Sequence, residues 1–210
     1  LSYVAIGAAV APHFYGYRLV WTLVAFFLAV GVAAHALDEF HGRPLQTRVS
    51  DRVLLGLAGV SLAGACAIGV VGALTISGWL FAFVVVGVGV TLAYNLELFG
   101  GRVHSDTWFA LAWGAFPVLA AYWAQADEIR VEAIFVAGGC FMLSVAQRRL
   151  STPVRELRRR TLWLRGEQRL KDGGSTEIDE VSVAAPMEGA LMAFAIGLVL
   201  VAAGLVTTRL

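Results

Sequence analysis

Two short stretches of the chain repeat one another and hold most of its chemically capable side chains. Residues 34–43 read Ala-His-Ala-Leu-Asp-Glu-Phe-His-Gly-Arg, and residues 93–102 read Ala-Tyr-Asn-Leu-Glu-Leu-Phe-Gly-Gly-Arg. The shared pattern is A-x-x-L-[DE]-x-F-x-G-R. On a helix, His35, Asp38 and Glu39 fall at i, i+3 and i+4, hence on one face, and Tyr94 and Glu97 repeat the i, i+3 relation. Carboxylates grouped in this way suit Mg²⁺, which keeps several waters and bridges acids to substrate phosphates. Asp38, Glu39 and Glu97 are therefore the metal candidates. The imidazoles His35, His41 and His104 extend the choice to Zn²⁺, Mn²⁺ or Fe. Arg43, Arg48 and Arg102 are the candidates for holding phosphate, and His35 or Tyr94 for orienting an acceptor or the metal.

Simpler roles exist for several of these residues. Gly42 and Gly101 suit left-handed helix ends, and Arg43 and Arg102 suit the negative end of a helix or lipid phosphates. Asp106 reads as an N-cap, and His41 and His104 as interfacial side chains. Asp38 and Glu97 resist such accounts. An acid one turn inside a helix C-terminus opposes the helix dipole, and an acid near a bilayer faces a partner or a cavity.

The elements that must position these residues are apolar. Of 210 residues, 59% are hydrophobic and only 15% charged, against roughly 25% charged in soluble domains, and the mean hydropathy is +0.75. The net charge of +1 gives no footprint for nucleic acid. Apolar segments cover roughly 1–12, 17–37, 52–75, 77–98, 106–124, 129–149 and 186–208. All but the first reach the ~20 residues that cross a bilayer, and none alternates with period two. No basic stretch precedes residues 1–12, which argues against a cleaved signal peptide. The 23 glycines suit close helix approach in lipid, and Cys66 and Cys140 read as packing residues.

The expected fold class is all-α: a polytopic transmembrane helical bundle of about seven spans, with a parallel internal repeat as one reading of the two motifs. Residues 1–149 hold transmembrane helices 1–6. Residues 150–185 form a cytoplasmic basic amphipathic helix, opened by Ser151-Thr152-Pro153, followed by a flexible loop around Lys171-Asp172-Gly173-Gly174. Residues 186–210 hold the last transmembrane helix. Short turns at 75–78 and 126–128 mark one side, A. Loops 38–51, 98–105 and 150–185 mark the other, B. Of the 16 Lys and Arg, all but Arg18, Arg130 and Arg209 fall on side B, so side B is expected to be cytoplasmic.

Asp38 followed by Arg43-Pro44-Leu45-Gln46-Thr47-Arg48-Val49-Ser50 resembles the UbiA-type intramembrane prenyltransferases. That family carries an Asp-rich motif at the cytoplasmic end of the second helix, then a loop close to R-P-L-x-S-G-R-x-S. Residues 17–124 are also similar to its order of spans, with Tyr94, Gly114 and Pro117 in place. Residue by residue, Asp38 with Glu39, Arg43 and Arg48 carry across. The glycine before Arg48 is missing. Where the family has its second Asp-rich motif, this chain reads Gln147-Arg148-Arg149-Leu150-Ser151-Thr152-Pro153-Val154, which fits a diverged or inactive member.

The resemblance implies a helical bundle around a lipid-open cavity, with membrane lipids and an isoprenoid diphosphate as partners. The implied reaction is Mg²⁺-dependent transfer of a prenyl group to an acceptor. Two alternatives remain. A metal-dependent lipid hydrolase would use His35, His41 and His104 as ligands. A non-enzymatic membrane protein or transporter would use the acids as a proton or cation path.

Overall fold

The computed structural model describes all 210 residues, 74% of them helical. Each apolar segment becomes one helix: α1 (Ser2–Val10), α2 (Gly16–Gly42), α3 (Asp51–Thr75), α4 (Leu80–Asn95), α5 (106–126), α6 (Val131–Arg159) and α7 (Glu180–Thr207). Four of them, α2, α3, α6 and α7, are long and apolar enough to cross a membrane. The seven expected spans therefore reduce to these four by length and composition. Helix α4 has 16 residues, about 24 Å at 1.5 Å per residue, and α1 has nine. Helix α1 is covered by its neighbours along most of its length.

Burial argues for lipid around the long helices. Only 6% of the most apolar stretch of α7 is buried, and 17% of that of α3. Val60, Leu74 and Phe135 are among the large apolar side chains left outside, an arrangement water would penalise at roughly 25 cal/mol per Å². Inside, the contacts are made by small residues. Ala33, Ala36 and Ala58 join α2 to α3, and Ala137, Cys140 and Ala202 join α6 to α7 around Tyr3 and Val118. Such residues allow backbones to approach. A methyl on Gly7 of α1 would collide with the Val118 carbonyl of α5.

Polar contacts sort to the two ends. At side A, Arg18 donates to the carbonyls of Ala124 (3.1 Å) and Gln125 (3.3 Å), and the buried Gln125 side chain bonds both N–H and C=O of Tyr15. Arg209 donates to Ala11 O at 2.6 Å. At side B, Arg148 meets Asp106 at 3.0 Å, Arg159 donates to Pro44 O at 2.9 Å, and Arg158 holds Glu188 through two 2.8 Å bonds.

Several local expectations are corrected. Ser151-Thr152-Pro153 does not open a helix: α6 runs through Pro153 to Arg159. Proline removes one N–H, and here the freed carbonyl belongs to Arg149 at the exposed end, where water is at hand. The basic segment up to Arg159 is therefore the end of α6 rather than a separate amphipathic helix, and the residues after it are not a loose loop. Strands β1 (Arg165–Arg169) and β2 (Ser175–Asp179) pair antiparallel, closed by a turn in which Gly173 takes φ +88° and Leu170 N donates to Gly174 O at 2.8 Å. Hence the regular structure of the chain is helical apart from one polar hairpin. The N-cap of α5 is Ser105 rather than Asp106, its hydroxyl accepting from Trp108 N. The left-handed residue ending α2 is Arg43 (φ +46°), not Gly42.

Candidate functional site

The two motifs do not fold alike. The first stays helical through Gly42, whereas α4 stops at Asn95 and Glu97 lies beyond it with φ +48°. Glu97 is thus a loop residue beyond the helix end, not an acid one turn inside it as the repeat implied. The two ends still meet. Glu97 is 3.9 Å from Nε2 of His41 and 3.9 Å from Nδ1 of His104, a charge contact too long for a hydrogen bond.

Each proposed residue has a definite setting. Glu39 is 3% exposed, and its carboxylate accepts from Leu45 N (2.9 Å), Thr47 N (2.7 Å) and Thr47 Oγ1 (2.8 Å). Arg43 donates to Thr47 O and Val49 O and pairs with Asp51. These two residues knot the 43–50 loop onto α2. His35 is exposed and bonds Val30 O through Nδ1 at 2.8 Å; a carbonyl only accepts, so Nδ1 carries the proton. Arg48 and Arg102 are exposed, with no side-chain bonds. Asp38 is half-buried and makes no hydrogen bond or ion pair.

Tyr94 is 5% exposed and its hydroxyl has no partner. Its ring stacks on His104 at 4.4 Å and meets Trp113 edge-on at 5.8 Å. His104 also bonds the Tyr94 carbonyl through Nδ1 at 3.1 Å.

Below this pair lies a cavity of about 580 Å³ between α2, α3, α4 and α5, with 23 hydrophobic residues among its 30 lining residues. Arg18, at the side A end, is the only charged one. Trp113 belongs to both structures, lining the cavity and packing against Tyr94. Two π-helical stretches border the cavity: Phe27–Ala34 in α2 supplies Ala29 and Val30, and Leu111–Ala115 in α5 supplies Ala112 and Trp113. In α5 the cause is local. Pro117 cannot donate to the Trp113 carbonyl, and the helix widens just before it.

As placed, the acids do not fit a Mg²⁺ centre. Both Glu39 oxygens are taken by backbone and hydroxyl donors, Glu97 lies between histidines in an exposed loop, and no three His, Cys, Asp or Glu side chains are arranged around one point. Arg148 of α6, one of the side B arginines, lies with its guanidinium 5.1 Å from the Phe109 ring, which in turn meets the Tyr94 ring at 6.1 Å. No protein family, curated protein or solved structure matches the chain.

Proposed function

We propose that this is a multi-pass membrane protein that takes the apolar chain of a lipid into the cavity between α2, α3, α4 and α5, with the lipid's polar end at side B. The cavity carries this reading. Its volume falls within the roughly 300–1,000 Å³ of small-molecule sites, and its apolar lining without a carboxylate suits a hydrocarbon. An isoprenoid chain is the occupant that the resemblance to UbiA-type enzymes implies. The test is a photoactivatable isoprenoid alcohol added to the full chain in detergent, with labelled peptides mapped. Crosslinks should concentrate on cavity residues and vanish in Ala29→Trp. Uniform labelling of the outer faces, unchanged by that substitution, overturns the reading.

Asp38 favours an enzymatic form of the same reading, since it is the one motif acid that is half-buried and unengaged. In prenyl transfer the carbon–oxygen bond to diphosphate breaks, a bond to the acceptor forms, and the acceptor loses a proton. Asp38→Asn should then lower turnover of a labelled isoprenyl diphosphate in membranes at least a hundredfold, within the range of general acid–base effects of roughly 10²–10⁴. Equal turnover removes Asp38 from the chemistry.

A further inference from the structure

Residues 160–179 join α6 to α7 at side B, and two contacts fix where this segment hangs. Arg158 holds Glu188, which directly precedes the apolar run 189–206, and Glu180 accepts from Leu164 N at 2.8 Å. The end of α6 therefore stands at the edge of the apolar part of α7, and the chain turns into the hairpin just outside it. Two large apolar side chains lie open at that corner. Leu162 is 98% exposed and Trp163 73%.

The hairpin that follows has two unlike faces, because successive residues of a strand point to opposite sides. One face carries Arg165 opposite Asp179, Glu167 opposite Glu177 and Arg169 opposite Ser175. The other carries Gly166 opposite Ile178 and Gln168 opposite Thr176, with no charge. Every strand residue except Ile178 is exposed, yet a two-stranded ribbon is only marginally stable in water without a surface to pack on. The charge beside the apolar corner indicates what that surface is. Residues 155–165 hold Arg155, Arg158, Arg159, Arg160 and Arg165 against a single acid, Glu156. Arg160 and Arg165 are exposed and make no side-chain bond. Basic clusters immediately outside a membrane helix are drawn to anionic lipid. Tryptophan favours the same level, where its ring is covered and its N–H stays wet.

We infer that Leu162, Trp163 and the uncharged face of the hairpin rest in the anionic headgroup layer of the side B leaflet, with Arg160 and Arg165 on lipid phosphates. The charged face, with Glu167, Glu177 and Asp179, stays in water together with Lys171 and Asp172 at the turn. The inference rests on the membrane crossing of α6 and α7 and is independent of what fills the cavity.

The test attaches an environment-sensitive fluorophore in turn at Leu162→Cys, Lys171→Cys and Met192→Cys, in the full chain lacking Cys66 and Cys140. Each labelled protein is placed one copy per nanodisc, in phosphatidylcholine alone or mixed with phosphatidylserine. In mixed discs a headgroup-level lipid quencher should quench the label at 162 and iodide should not, while the label at 171 should show the reverse. Arg160→Gln with Arg165→Gln should lower the ratio of lipid-exposed to water-exposed label at 162 about fivefold for each charge removed. Arg160→Lys with Arg165→Lys should retain the contact, and discs of phosphatidylcholine alone should weaken it. Iodide quenching at 162 equal to that at 171 in mixed discs overturns the inference. Equal shielding in both lipids and in the glutamine variant overturns it too, since lipid charge then has no part. Shielding present in native membranes but absent in nanodiscs assigns the corner to a protein partner and overturns it as well. Met192, 65% exposed on the apolar stretch of α7, separates this failure from that of the membrane reading. Quenching at 192 by an acyl-chain quencher with none at 162 removes the docking alone; none at either position removes the crossing as well.

Discussion

Glu39 has all but 3% of its surface covered, and its two oxygens take three donors from one loop. A carboxylate in that position holds the backbone of 43–50 in place and has little capacity left for a metal. Glu39→Gln turns one acceptor into a donor that faces other donors. Amide exchange at Leu45 and Thr47 should accelerate tenfold or more, the scale of one lost hydrogen bond to a charged group; unchanged exchange by mass spectrometry would show that the loop holds itself. Arg43 and Arg48, paired as phosphate ligands by the motif, should separate in the same assay. Arg43→Gln should loosen the loop because three contacts depart. Arg48→Gln should leave stability within about 0.5 kcal/mol, as expected of an exposed, unbonded side chain.

Among the elements, α1 depends on a single close approach. Its Gly7 lies against the backbone of Val118, so Gly7→Ala must lift α1 off α5, at a cost of about 1–3 kcal/mol for an overpacked site. A drop in the melting temperature in detergent checks this; a melting curve like wild type would mean that α1 rides loosely. Helix α7 begins differently, with Asp179 and Ser182 in a reciprocal capping box. The hydrogen bonds from the Ser182 backbone and side chain hold the Asp179 carboxyl below the ordinary carboxylate range. A lowered pKa in the folded state means that the cap is fully effective above the ordinary value of about 3.9. It weakens as pH falls through the folded value. Protection of the Ser182 amide should decline in acid, and Asp179→Asn should abolish that pH dependence.

For the whole molecule, the polar contacts divide into two ends and the long apolar helices run between them. Cysteines placed at Arg102 and Lys171 should react with an impermeant maleimide from the cytoplasmic face, and one at Asp127 from the opposite face, in a background lacking Cys66 and Cys140. Labelling of all three from one face would contradict the proposed orientation and the membrane crossings together.

Apolar content and segment length, which are local properties, were enough to read each helix from the chain. Loop arginines likewise pointed to a two-sided molecule, because the cost of moving a charge through lipid acts residue by residue. The motifs also drew attention to one end of the molecule, where His41 of the first motif does come within 3.9 Å of Glu97 of the second. What each polar residue does there depended on distances that spacing does not contain. Glu39 and Asp38 are adjacent in sequence, yet one is consumed by a loop that folds back from residue 47 and the other is left unengaged. Pro153 looked like a helix start because the proline signal is local, while continuation of α6 depends on its anchoring to Asp106 and Pro44. The tertiary structure alone brought Phe109 of α5 against both Arg148 of α6 and Tyr94 of α4 and left a buried hydroxyl without a partner, since helix packing sets which faces confront one another and the linear order of residues does not.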